Sequence, residues 1–339
     1  MSRRERRQEK RQAAAERGRR LVLDTSCVRG TSRPILHHLR DRGFSLVVST
    51  TAVSELAVHR IRASQNSSDA TALDRVWKRI RAIRELLDRE EPIAPTHAGV
   101  ILTVGGRIAD APPFDLAFWR ANITAAWNAL ADETNPIPAP ALESLRRIAS
   151  YVEDTGADFV RTMAFGVGPD RTDVFDGVDE RQFARLCADD MGRLWSRMYL
   201  VPDDGPDIRE RFDAWMRVSG LHGRRAHERA TGRRRRFEPN HATDLTLLHH
   251  LAEGLPLVTR DYELIEEVDA SGSFQAPWVR TPGEVVEGRL PLGLPFGQNG
   301  RKALAQHRRR RRADLHALDA AIEVSVRDLV GATCPQGAT

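Results

Sequence analysis

The stretch that most constrains this chain is Asn240–Asp261, NHATDLTLLHHLAEGLPLVTRD. Leu245, Leu248, Leu251 and Ala252 recur at helical spacing behind Asp244, and Gly254 stops the run as a residue tolerant of positive φ does at a helix C-terminus. The next segment, LPLVT, is too short for a helix and reads as a strand buried on both faces, which is the habit of parallel sheets. Asp261 then stands at the carboxyl end of that strand, the edge where open α/β sheets gather ligands. One carboxylate is therefore expected to open a helix and another to close the following strand. The positive end of that helix should favour an ionised Asp244 by about 0.3–1 kcal/mol.

Upstream, LVLDTS (21–26) reads as a strand ending at Asp24, followed by a short helix near 33–42 that Gly43 closes. SLVVST (45–50) is a second apolar strand. Ser49 or Thr51 then caps a helix through Ala52, Val53, Leu56 and Val58, with Glu55 in its first turns. Strand, helix, strand, helix with buried strands predicts parallel, right-handed connections. Residues 66–236 have another texture. Helical patterns run through Leu73–Leu87, through a helix capped by Asp115 with Trp119 and Trp127 on one face, and through 140–153, 179–199 and 207–219. The segment reads as a helical insertion with its own aromatic core, and GVILTV (99–104) is its candidate for a further central strand. After Asp261 come a helix (DYELIEEV), a strand around Trp278–Arg280, a Pro/Gly-rich linker (288–300) and a closing helix near 312–330.

Charge is unevenly spread. Residues 1–20 hold nine Arg/Lys against three Glu, 224–236 hold seven Arg against Glu228, and 301–312 hold seven Arg/Lys and no acid. The whole chain is only +5, so the remainder is net negative. Concentrated basic charge suits a phosphate backbone, and a solvated basic tail is the plainer reading of the two end stretches. The internal run, with Arg233, Arg234, Arg235 and Arg236, is assigned to nucleic acid. Three widely spaced cysteines, Cys27, Cys187 and Cys334, make neither a disulfide framework nor a zinc pattern. No apolar run reaches the length of a membrane span and no hydrophobic signal core follows Met1, so the chain reads as soluble and cytoplasmic, with no membrane partner.

Asp24 at a strand end, Glu55 early in a helix, Asp244 at a helix start and Asp261 at a second strand end make an acidic quartet distributed over α/β units. Taken singly, each is an ordinary cap or surface residue. The segments LVLDTS, STTAVSELAV and NHATDLTLLHHLAEGLPLVTRD together resemble the PIN-domain nuclease family over residues 21–65 and 237–285, about a third of the chain. That resemblance implies a three-layer α/β/α domain around a central parallel sheet. Here the mostly α-helical insertion interrupts it: a basic arm (1–20), a discontinuous core (21–65 and 237–290), the insertion (66–236) and a basic C-terminal extension with a helix (291–339).

The resemblance further implies a metal-dependent endoribonuclease, in the manner of a toxin or defence effector. Asp24 and Asp244 would be the principal ligands and Glu55 and Asp261 would complete the pocket, with Thr25, Ser26 and Thr259 as auxiliary hydroxyls. The resemblance admits DNA as well as RNA, a protein inhibitor or antitoxin, and a homodimer. Hard oxygen donors favour Mg²⁺ or Mn²⁺ over zinc, and one or two such ions would activate water and hold the phosphate. A DNA nuclease with the same pocket, and a nucleic-acid-binding protein whose pocket is vestigial, are the alternatives. His241, three residues before Asp244, reads as a helix-start residue rather than a ligand. The long insertion departs from the compact members of the family, and with its basic end it is expected to form a lid or groove over RNA.

Overall fold

In the computed structural model the described residues are 19–65, 70–95, 116–131, 140, 143, 146, 177–198, 208–230, 240–309 and 315–333. The basic arm up to residue 18, Asp115, the GVILTV segment, nearly all of 140–153, Arg233–Arg236 and Cys334 lie outside them, as does the side chain of His241.

Four short strands form one all-parallel sheet in the order β2-β1-β3-β4: β1 Arg20–Leu23, β2 Ser45–Val48, β3 Leu257–Val258 and β4 Val279–Arg280. Alternation along the strands divides the core. Leu21, Leu23, Leu46, Val48 and Val258 join a cluster on one face, while Val22, Val47, Leu257 and Val279 join a cluster on the other. Both faces are thus buried, which is why these strands read as continuous apolar runs. The chain is mostly helical around this sheet, an α/β architecture.

On the first face lie α1 (Thr25–Gly30), α2 (Arg33–Asp41), α3 (Thr50–Gln65), α4 (Ala70–Arg84), α5 (Leu116–Ala131), α11 (Pro282–Val286) and α13 (Leu315–Thr333). Facing the other side are α8 (Asp213–Ala230), α9 (Asn240–Leu247) with a following 3₁₀ turn Leu248–Glu253, α10 (Tyr262–Ser271) and α12 (Gly297–Arg309). Two further helices, α6 (Glu180–Met198) and α7 (Ile208–Arg211), share a smaller cluster with Phe212 and Met216.

Several expectations change here. Trp77 and Trp127 do not build a core of their own; they belong to the same cluster as Leu21, Leu46 and Leu56, because α4 packs on α1, α2 and α3, and α5 packs on α3 and α4. Residues 87–94 follow the outer edge of β2: Asp88 N–H donates to Leu46 O (2.8 Å), Val48 N–H to Pro92 O (2.9 Å) and Ala94 N–H to Val48 O (2.9 Å). That covers an edge that would otherwise expose unpaired backbone. The Pro/Gly-rich stretch 288–300 is not a free linker. Trp278 Nε1 donates to Gly293 O (3.1 Å), Asn299 Nδ2 to Leu294 O (2.8 Å), and Phe296 is buried, so the stretch straps the second face.

The closing helix α13 belongs to the first-face core through Ile322 and Val326. Its Asp319 is buried, accepting from Gly283 N–H (2.9 Å) and from the Tyr262 hydroxyl (2.9 Å). No helix among the described residues is long and apolar enough to cross a membrane.

Candidate functional site

The chain leaves β1 toward β2 on one side and reaches β3 on the other, so the carboxyl ends of β1 and β3 flank a topological switch point. Asp24 follows β1 and caps α1. Its carboxylate accepts from Cys27 N–H (2.7 Å), from the Ser26 hydroxyl (2.8 Å) and from the Thr259 hydroxyl (2.5 Å). The Ser26 oxygen in turn accepts from Arg260 N–H (2.7 Å), and the Thr259 oxygen from Asp261 N–H (2.8 Å). Two hydroxyls therefore relay Asp24 to the backbone that follows β3. Burial raises the Asp24 carboxyl above its ordinary range, and the Thr259, Cys27 and Ser26 hydrogen bonds pull it part of the way back.

Glu55 lies in the second turn of α3 and accepts a hydrogen bond from the Thr25 hydroxyl. Ser49 accepts from Ala52 N–H (2.9 Å), one of the two caps expected for this helix. Asp261 caps α10 by accepting from Leu264 N–H (3.0 Å).

Asp244 departs from its expected place. The helix begins four residues earlier, at Asn240, itself a residue type suited to helix starts, so Asp244 stands inside α9 rather than at its opening. The expected help from the helix dipole is confined to the first turn and is lost. The Asp244 carboxyl is instead pushed well above its ordinary range, first by burial and then by the charges of Asp261, Glu55, Asp24 and Glu263. The charges acting most strongly on it are all carboxylates. Contact between the Thr51 and Thr246 hydroxyls (2.6 Å) ties α3 to α9, one turn from Glu55 and two residues from Asp244.

Asp24, Ser26, Thr259 and Asp261 are thus joined directly, Thr25 joins Glu55, and Asp244 meets the others through its field. Two participants escaped the sequence reading. Thr246 and Glu263 lie within two residues of Asp244 and Asp261, and a search for polar side chains beside each acid would have found them.

Among the described residues, no group of three or more His, Cys, Asp or Glu side chains is drawn together in metal-holding geometry. The donors nevertheless suit a hard divalent ion in kind, since they are carboxylates and hydroxyls. They suit it in charge as well, because clustered carboxylates need a cation or protons to neutralise them. No family model, no curated protein and no solved structure matches the chain.

Proposed function

We propose that this chain is a metal-dependent nuclease with a PIN-like three-layer α/β/α core, hydrolysing phosphodiester bonds of RNA with Mg²⁺ or Mn²⁺. The observation that carries the reading is that Asp24 and Asp261 follow the carboxyl ends of neighbouring parallel strands, while burial and then the charges of Asp261, Glu55 and Asp24 raise Asp244. Asp244, Glu55 and Asp261, with Asp24 beside them, are the residues that would hold the ion. When bound, it supplies the positive charge that activates a water and stabilises the leaving oxygen.

The chain's own groups prepare that site. Thr25 orients Glu55, and the relay through Ser26 and Thr259 fixes the ends of β1 and β3 relative to each other. Asp244 holds a proton on its carboxyl further up the pH scale than an ordinary aspartate, which lets the cluster persist without a cation.

The test is cleavage of labelled RNA and of DNA of the same sequence by wild type, Asp244→Asn and Glu55→Gln, each with Mn²⁺, Mg²⁺ or EDTA. RNA cleavage that disappears in both variants and in EDTA is the expected result. Cleavage that survives both substitutions sinks the assignment, and cleavage of DNA alone moves it to the DNA nuclease reading.

A further inference from the structure

Guanidinium groups converge on the far end of α1. Arg79, from α4, donates to the carbonyl of Arg29, and Arg260, which follows β3, donates to the carbonyl of Gly30. Arg29 is itself exposed, as is Arg79. Two of the last carbonyls of α1 are therefore met by cations, a favourable arrangement at a helix C-terminus. Arg260 is matched by Glu323 of α13 (3.0 Å), whereas among the described residues neither Arg29 nor Arg79 meets a carboxylate. Other exposed arginines of this face differ in their partners: Arg33 pairs with Glu85 and Arg120 with Glu91, while Arg40, Arg42 and Arg84 donate to neutral oxygens. The cationic charge of Arg29 and Arg79 is thus left over at one place.

That place has a fixed relation to the acidic cluster. Asp24 caps the N-terminus of α1 and Thr25 binds Glu55, while Arg29 and Gly30 end the same helix. Six residues of helix span about 9 Å, so one short rigid element separates the carboxylates from the arginines. Backbone approach is also close: the Arg260 side chain lies across Gly30, where a Cβ would stand 3.2 Å from Arg260 Cδ. A planar guanidinium offers paired donors matched to a phosphate's oxygens, and the bond from Arg79 to the Arg29 carbonyl brings these two exposed arginines to one end of α1.

We infer that Arg29 and Arg79 form a phosphate-binding subsite that grips the backbone of a single strand next to the bond presented to the acidic cluster. The inference rests on the nuclease reading for the identity of that cluster, and α1 acts as the spacer between grip and site. Arg260 lines the subsite but stays engaged with Gly30 and Glu323.

The experiment is binding of short, unstructured RNA and DNA oligonucleotides of one sequence, followed by fluorescence anisotropy in EDTA over a range of salt. The proteins are the full chain, Arg29→Ala/Arg79→Ala, Arg29→Lys/Arg79→Lys, and Arg185→Ala/Arg193→Ala as a matched loss of charge on α6. Each backbone phosphate neutralised contributes about 0.7 to the slope of log K against log salt for single strands. The Ala pair should therefore flatten that slope by about 1.4 and weaken binding several-fold at low salt. The Lys pair should keep the slope, and the α6 pair should leave it unchanged.

A slope unaltered in the Ala pair overturns the subsite, as does a loss shared by the Lys pair, which would report altered folding of α1. Equal flattening by the α6 pair also overturns it, since the effect would then be net charge. If the slope flattens as expected while wild type cleaves neither nucleic acid with any metal, the subsite stands and the nuclease reading fails. Should RNA and DNA flatten alike, the grip reads phosphate alone.

Discussion

The Thr259 hydroxyl donates to the Asp24 carboxylate at 2.5 Å, linking residues 235 positions apart across the carboxyl ends of β1 and β3. The same oxygen accepts from Asp261 N–H, so one threonine holds two acidic residues in place. Thr259→Val removes both bonds while keeping the volume, and it leaves a buried carboxylate and a backbone N–H short of a partner. We expect a loss of about 1–3 kcal/mol in urea unfolding, with Thr259→Ser recovering most of it. An unchanged midpoint for the valine variant would show that the relay contributes nothing to the fold.

Asp244 is raised well above its ordinary range by burial and by neighbouring carboxylates. The folded chain therefore binds this proton more tightly than the unfolded chain does. Stability contributed by the protonated form is complete below the ordinary aspartate range and declines as pH rises toward the folded value. Asp244→Asn removes that decline. At neutral pH without metal its Tm should exceed that of wild type, and the gap should close in acid. Mn²⁺ should raise the Tm of wild type and not of the variant, as expected for a ligand that binds only the native state. A variant whose Tm lies below wild type at neutral pH in EDTA contradicts the electrostatic account.

His222 presents the opposite sign. It is fully buried between α8 and α10, in hydrogen-bond contact with Glu267 (2.7 Å), which also accepts from Arg225. Burial, then the Arg225 charge, lowers its pKa to about 3. The ring is thus neutral in the folded chain at neutral pH, and the contact with Glu267 is a hydrogen bond rather than an ion pair. Because the folded pKa lies below the unfolded value of 6.5, this group's contribution is present above pH 6.5 and lost as pH falls toward 3. One proton corresponds to about 1.4 kcal/mol per pH unit within that window. Unfolding midpoints between pH 6.5 and 4 should fall more steeply for wild type than for His222→Gln, which cannot take up the proton. Parallel profiles would remove His222 from the acid response.

Gly254 ends the turn after α9 at φ +82°, and a Cβ there would stand 2.5 Å from Leu294 Cδ2. Gly254→Ala meets both a left-handed backbone, costing about 1–2 kcal/mol, and a collision with the strap formed by residues 288–300. If that stretch were a free linker, only the backbone cost would appear. Pairing Gly254→Ala with Leu294→Ala should restore part of the loss in thermal unfolding. Strictly additive losses would show that the strap does not press on the turn.

Much of this architecture follows from local signals in the chain. The apolar runs LVL, SLVV and LPLV, each bounded by a turn residue, specify strands buried on both faces. Gly43 and Gly254 end their elements where the backbone turns left-handed, and Ser49 caps as its type predicts. Such signals are legible because helix and strand periods, caps and positive φ depend on a few neighbouring residues. What the tertiary structure alone decided depends on groups distant in sequence. It placed Asp244 inside a helix among four other carboxylates, drew residues 87–94 along the edge of β2, and seated Trp77 and Trp127 in the sheet's core. It also folded the Pro/Gly-rich stretch over Trp278 and brought Asp319 to Gly283 and Tyr262. Burial, field and long-range hydrogen bonds set these outcomes, and none of the three is written in a window of adjacent residues.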